Sequence, residues 1–387
     1  MKIDMFSEIQ DPRPWQHDDH EHRRISQTLE QAVLADELGY GCWWQVEHHG
    51  AEEFSLSSAP ELLLAAISQR TSRIRLGHAA VLAPPQINHP IRIAERAAML
   101  DQLSGGRAEI GLTRSTPPEW RLFGADPETV RDRVQDAFET IPRMWTGDRT
   151  ASGGVPVIPA PYQRPHPPLW QAASSPVSFE EAGRRGVGVL GTTLWEPLDR
   201  VARLVDLYRA AAANCTDPVG AFVNNQVAFF TFVHCAETDE EAMRSGAAAA
   251  AAWYTARALT FFEAAGAFME TMEREQRIAA DPSGGGLAGE FIRQETAAAG
   301  APSPALIAIG RILQGEQVPD DELFDALSAQ DSLIVGSPET CRKKLRAYAD
   351  LGIDRLMCFH QVGALPADAV TRSIQLIGEL IPELGQG

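Results

Sequence analysis

Scarcities narrow the class of this chain first. Its 387 residues include five cysteines, Cys42, Cys215, Cys235, Cys341 and Cys358, odd in number, scattered, and forming no Cys-x-x-Cys pair. That pattern argues against a disulfide framework or a structural zinc site and fits reduced thiols in a cytosol. Basic residues are also short: 34 Lys and Arg face 52 Asp and Glu, a net charge of −18. Nucleic acid needs a basic patch and an anionic membrane surface needs basic segments, so neither is an expected partner. An anionic cofactor stays open, because local donors matter more than net charge. No apolar run is long enough to span a bilayer. Met1–Phe6 is a strand-like run broken by charge, not a signal peptide. No Gly-x-Gly-x-x-Gly follows a strand and no Walker sequence occurs, which disfavours a Rossmann nicotinamide domain and a P-loop. The expectation is a soluble cytoplasmic protein, with an apolar content of 44% that is ample for a full core.

What is present is a rhythm of short apolar runs and amphipathic stretches. Residues 2–6 read as a strand, and Ile25, Leu29, Val33 and Leu38 give a helical stripe that Gly39 ends. Gly41-Cys42-Trp43-Trp44-Gln45-Val46 is a strand that stops abruptly at Glu47-His48-His49. Ser58-Ala59-Pro60-Glu61 predicts a capping box opening a helix. Ile74–Leu82, Arg107–Leu112, Pro168–Ala173, Val187–Gly191, Gln226–Cys235 and Arg355–Phe359 are further strands. Between them, proline-opened helices start at Pro90, Pro127, Pro176, Pro197, Pro338 and Pro366. Residues 147–167, rich in Gly and Pro, predict a surface excursion with a small hairpin. Eight strands, each with a helix, favour an α/β fold closed into a (β/α)8 TIM barrel over an open sheet. The rhythm breaks over 237–331, read as a helical insertion before the last helix–strand units. It carries an Ala-rich helix (Ala242–Glu263) and a mobile lid segment at 281–289. The whole chain, 1–387, is read as one domain.

Three clusters fall at the ends of inferred strands, where such barrels place their chemistry. Glu47-His48-His49 is the first. Adjacent side chains on a strand face opposite ways, so one histidine is expected at the barrel mouth and the other in a structural role. The second is Ser174-Ser175-Pro176-Val177-Ser178, where Ser175 caps a helix whose N-terminal amides and hydroxyls suit an anion. Arg114, after the fourth strand, would supply the countercharge for a phosphate. In the third, Gly77-His78-Ala79-Ala80, small residues would let a flat ligand approach the backbone. Each has a plainer reading as polar terminus, ordinary cap or packing. The His17–His22 run, three histidines and three acids, reads as a solvated loop, and no metal is expected. Trp15, Trp120, Trp195, Phe229 and Phe232 are candidates to line an apolar pocket.

Several motifs together resemble the bacterial-luciferase-like flavin-dependent monooxygenases. They are Leu38-Gly39-Tyr40, Glu47-His48-His49, Thr71–Gly77, His89–Glu95, Leu100–Arg107, Ala173–Pro176 and Val335–Thr340. The resemblance implies a TIM-type barrel binding reduced FMN at the strand C-termini. Reaction with molecular oxygen would form a flavin peroxide that oxygenates a small organic substrate. His48 would be the catalytic histidine, with Glu47 as a second candidate. Ala79 and Ala80, often joined by a non-prolyl cis peptide in such proteins, would lie beside the flavin ring. Thr113, Arg114, Ser174, Ser175 and Ser178 would hold the cofactor, the last four at its phosphate. A separate NAD(P)H-flavin reductase would supply reduced FMN, and helices near 58–70 and 90–104 would form a homodimer. Many relatives carry an aromatic directly after the histidines, where this chain has Gly50, with Phe54 nearby. Two alternatives stay open: a relative using the deazaflavin coenzyme for hydride transfer, and a non-catalytic flavin-binding subunit.

Overall fold

Nine parallel strands organise the described residues, and eight of them close on themselves. The computed structural model of the chain describes residues 1–193, 197–270 and 303–384. The strands are β1 (Lys2–Ser7), β2 (Cys42–Gln45), β3 (Arg75–Leu82), β4 (Ala108–Thr113), β5 (Leu169–Ala172), β6 (Gly188–Thr192), β7 (Val227–Cys235), β8 (Ile334–Gly336) and β9 (Arg355–Phe359). Each of β1 to β7 pairs with the next, β7 pairs with β9, and β9 returns to β1. Registers such as Met5↔Trp43 and Lys2↔Arg355 run parallel throughout. The strands are buried nearly end to end, as expected where helices cover one face and packed side chains fill the other. This is a closed eight-stranded TIM barrel.

The extra strand is a correction to the expected count. Arg355–Phe359, read as the eighth strand, is the ninth. The missed β8 is only three residues long and extends the end of β7, at Val233↔Ile334 and Cys235↔Gly336. Its Val335-Gly336 precedes a Ser337 cap, and a run this short has no periodicity to detect.

The helices follow the expected punctuation with local exceptions. Helix α1 (His20–Leu38) ends at Gly39, whose φ of 88° supplies the left-handed cap. Helix α2 (Pro60–Ser68) starts at Ala59 with no side-chain cap, so the predicted Ser58 capping box does not form. Helix α3 (Pro90–Ser104) follows β3. Between β4 and β5 stand α4 (Pro117–Phe123), which was not foreseen, and α5 (Val130–Trp145), which begins three residues later than Pro127. Residues 149–152 form one 3₁₀ turn and no hairpin. Helix α6 (Pro176–Arg185) carries a full Ser175/Ser178 capping box, and α7 (Leu198–Ala213) follows β6. The Ala-rich helix divides at Gly246 into α8 (Asp239–Arg244) and α9 (Ala247–Phe261). Helices Pro304–Leu313 and Asp320–Ser328 complete the described part of the insertion. The expected lid at 281–289 lies outside the described residues.

Candidate active site

The C-terminal ends of the strands open onto one cavity of about 750 Å³. All nine residues singled out from the sequence line it: Glu47, His48, Ala79, Ala80, Thr113, Arg114, Ser174, Ser175 and Ser178. They arrive from β3 and β4, the turns after β2, β4 and β5, and the first turn of α6, so the barrel assembles positions up to 131 residues apart in the chain.

His48 is held by a carboxylate that the sequence reading missed. Its Nδ1 lies 3.3 Å from Glu119 Oε1, and its backbone amide donates to Ser57 O at 3.0 Å. The ring is wedged among Phe54, Phe261 and Phe262, each with its centroid within 5.6 Å. Phe54 thus stands beside the histidine, in the loop that also carries Gly50. Glu119 is fully buried. It accepts from the His49 amide at 3.1 Å, Ser115 Oγ at 2.6 Å and Thr116 Oγ1 at 3.0 Å. Burial pushes the Glu119 carboxyl upward, but the His48 contact and the other donors outweigh it and hold it below the ordinary value. Burial pushes His48 down, yet Glu119, with smaller help from Glu8 and Glu47, raises it above the ordinary histidine range. Each partner thus favours the charged form of the other, imidazolium on His48 and carboxylate on Glu119. One signal was present: Thr116-Pro117-Pro118-Glu119 has the spacing of a capping box. Here the glutamate uses that place at the start of α4 to reach inward.

Glu47 contacts the second histidine of the run rather than His48. Its Oε1 accepts from His49 Nε2 at 3.1 Å and Asn88 Nδ2 at 2.8 Å, and its Oε2 from the Leu82 amide at 3.1 Å. His78 Nε2 lies 3.3 Å from Oε2. Burial alone would raise this carboxyl, but its contacts with His49, His78 and Asn88 drive it far below the ordinary value. The orienting carboxylate for His48 is Glu119; Glu47 locks His49 and ties β2 to the end of β3. Between His78 and Val81 the β3–β4 register shifts, and the Ala79–Ala80 peptide there is cis, as the resemblance implied. The bulge carries Ala79 and Ala80 into the cavity wall. Gly77 has another role than ligand approach: a Cβ there would sit 2.0 Å from the Trp44 ring.

The opposite end of the cavity is cationic. Ser174 is exposed, whereas Ser175 and Ser178 spend their hydroxyls largely on each other: the Ser175 amide donates to Ser178 Oγ at 3.0 Å, and Ser178 Oγ to Ser175 O at 2.8 Å. The Arg114 guanidinium, also exposed, has no hydrogen bond or ion pair to another described residue. Two further arginines line this end, Arg131 and Arg185. Arg131 pairs with Glu181. Arg185 donates to Gln135 and Gln171 and lies 5.1 Å over the Phe138 ring. Nothing in their spacing marked these two, because they come from the helices α5 and α6 rather than from strand ends.

The apolar lining differs from the expected aromatics. Phe229 is buried in the barrel wall, Phe232 packs on Phe359, and Trp15 stacks on His20 outside the cavity. Trp120 donates its indole N–H to Arg114 O at 2.6 Å. Trp195 lies outside the described residues. The cavity is instead lined by Phe6, Phe138, Phe230, Tyr254 and Phe262. A buried acid, Glu8, also faces it from the turn after β1. The His17–His22 run joins no site; His20 pairs with Asp11.

A family model described as luciferase-like monooxygenase matches residues 5–355. The oxygenase component of a flavin-dependent trigonelline monooxygenase from Acinetobacter baylyi is 30% identical over 225 residues, 56% of this chain and 61% of that one. The chain thus aligns with only about three fifths of that relative's length. Among solved structures, a monooxygenase from Streptomyces bottropensis superposes with a TM-score of 0.69 at 25% identity, covering 99% of both chains. The oxygenating constituent of a 3,6-diketocamphane monooxygenase from Pseudomonas putida, in complex with FMN, gives 0.66 at 18% identity, covering 98% and 97%; that likeness speaks for the fold alone.

Proposed function

Because the chain belongs to the luciferase-like monooxygenases, we propose that it is the oxygenase of a two-component system. It takes reduced FMN from a separate NAD(P)H-flavin reductase and uses molecular oxygen to oxygenate a small organic substrate. The observation that carries this reading is the polarity of this cavity: three arginines and the start of α6 at one end, His48 on Glu119 at the other, and the small Ala79–Ala80 wall between. An organic phosphate suits the first end, and a flat ring suits the small wall. The residues at that end fit FMN: Arg114 offers a guanidinium with no protein partner among the described residues.

Reduced flavin, when bound, supplies the electrons that activate dioxygen. The chain's own residues do the rest. Arg114, with Ser174, would hold the phosphate, and Ser175 and Ser178 would contribute mainly by fixing the start of α6. Ala79 and Ala80 leave room for the ring. With Nδ1 turned to Glu119, His48 has Nε2 free to hold or release a proton toward the cavity, and the carboxylate stabilises the protonated ring. Phe54, Phe261 and Phe262 exclude water around that nitrogen.

The molecule works, on this reading, as one cytoplasmic barrel with 237–331 as its insertion. No described helix is long and apolar enough to cross a membrane. Exposed Leu62, Met99 and Leu103 on α2 and α3 support the homodimer. The test is oxygen uptake by the purified chain with chemically reduced FMN, against aldehydes, ketones, sulfides and aromatic metabolites. Substrate-dependent product carrying one added oxygen atom is expected. Hydride transfer from a reduced deazaflavin without oxygen uptake would replace this reading with the alternative coenzyme; rapid NADPH oxidation by the chain alone would remove the separate reductase.

A further inference from the structure

The buried acid after β1 has no part in the mechanism above. Glu8 is 3% exposed and lines the cavity. Tyr254, from the insertion helix α9, donates its hydroxyl to Glu8 Oε1 at 3.1 Å. Gln10 Nε2 donates to Oε2 at 3.2 Å, and its amide orientation is fixed because Gln10 Oε1 accepts from the Gly363 amide at 2.6 Å. Among the described residues no arginine or lysine pairs with Glu8. Every other buried carboxylate of this site has donors enough to stay ionised: Glu47 has His49, His78 and Asn88, and Glu119 has His48, Ser115, Thr116 and an amide. Glu8 makes no ion pair with a described residue, and burial pushes its carboxyl up to about 7, against the pull of His48 across the cavity and of its hydrogen bonds from Tyr254 and Gln10.

The cavity surface around it is aromatic. Phe6 and Phe230 stack face to face, with centroids 4.3 Å apart and planes 2° from parallel, and Tyr254 and Phe262 add further rings. Ring faces are negative and attract cations, more strongly where water is excluded. A carboxylate without a counter-ion is costly in such a place, and a cationic ligand removes that cost.

We infer that Glu8 is the specificity-determining residue of this pocket, selecting substrates that carry a positively charged nitrogen, as a quaternary or protonated amine, beside an apolar or aromatic body. This rests on the proposed oxygenase reading only for the word substrate; the binding itself does not need flavin. Tyr254 makes the selection dependent on α9, so the helix that roofs the pocket also holds the residue that reads the charge.

The test is calorimetric titration of the full chain with benzyltrimethylammonium and with its uncharged carbon analogue, neopentylbenzene. The two differ in charge and hardly in shape. The parent is expected to bind the cation at least tenfold more tightly. Glu8→Gln, which can still accept from Gln10 and donate to the Tyr254 oxygen, is expected to bring the two within threefold. Glu8→Ala serves if the glutamine variant does not fold. Equal binding of both probes by the parent, no binding of either, or a preference that survives loss of the carboxyl overturns the inference. Oxygen uptake with reduced FMN is measured separately: cation preference without uptake would sink the oxygenase reading alone, and uptake without cation preference would sink this one alone.

Discussion

At the scale of single residues, the His48–Glu119 contact decides how the site titrates. His48 is raised, so its contribution to stability is fully present below its unfolded value, near 6.5, and is lost as pH rises through the folded value. Glu119 is lowered, so its contribution is present above its unfolded value and lost as pH falls through the folded one. Glu119→Gln removes the first contribution and leaves at least one of four donors without an acceptor, a cost of about 1–3 kcal/mol. The loss is expected to be larger at pH 6, where the parent holds a charged pair, than at pH 8.5. Urea midpoints at the two pH values check it, and the NMR titration of His48 should move to lower pH in the variant. An equal loss at both values would show that charge plays no part. His48 itself was legible because two imidazoles after an apolar strand are conspicuous. Glu119 was not: its partner is 71 positions away, and its local pattern was that of a helix cap. Arg131, Arg185 and Glu8 escaped for the same reason, since exposed-looking charges on helices and turns become cavity walls only once the barrel has closed.

Among elements, the helix starts separate what a pattern predicts from what the backbone uses. Ser175-Pro176-Val177-Ser178 and Ser58-Ala59-Pro60-Glu61 both look like caps. Only the first is one, because there the proline takes the first helical position and leaves the serine immediately before it. In the second, Pro60 pushes the start one residue on, and Ala59 occupies the cap. Ser175→Ala is expected to cost about 1 kcal/mol and to weaken FMN binding, since it loosens the helix start proposed to hold the phosphate. Ser58→Ala, at an exposed serine, is expected to fall within about 0.5 kcal/mol of the parent and leave flavin affinity unchanged. Thermal midpoints and flavin fluorescence titrations of the two variants check this directly; similar losses in both would mean that the cap is not what distinguishes them. Eight of the nine strands were legible within one or two residues, because a run buried on both faces has little polar interruption. Boundaries failed where tertiary contacts choose them, as at β8 and at the break between α8 and α9.

For the whole molecule, the barrel divides its charged residues between its two ends. At the C-terminal end they serve a cavity. Deep in the barrel, toward the strand starts, Arg355 of β9 donates to Asp4 Oδ2 of β1 at 3.2 Å, to Glu109 Oε1 of β4 at 3.3 Å and to Gln226 Oε1 beside β7 at 3.0 Å. Trp44 of β2 also donates to Asp4, at 2.8 Å, and Trp170 of β5 to Glu109, at 2.7 Å. One guanidinium and two acids thus connect six strands that are far apart in sequence, in a place where polar groups read as stability rather than chemistry. The lattice tolerates no missing member. Arg355→Met keeps the volume but leaves Asp4 buried with one donor, its carboxyl already raised by burial against the pull of Arg355. Breaking such a buried pair from one side costs about 3–5 kcal/mol. The expected result is a thermal midpoint lowered by several degrees, with FMN affinity per folded molecule unchanged, because no member of the lattice lines the cavity. A variant of normal stability would mean that water reaches Asp4. A folded variant that had lost flavin binding would mean that the two ends of the barrel are coupled through the strands rather than independent.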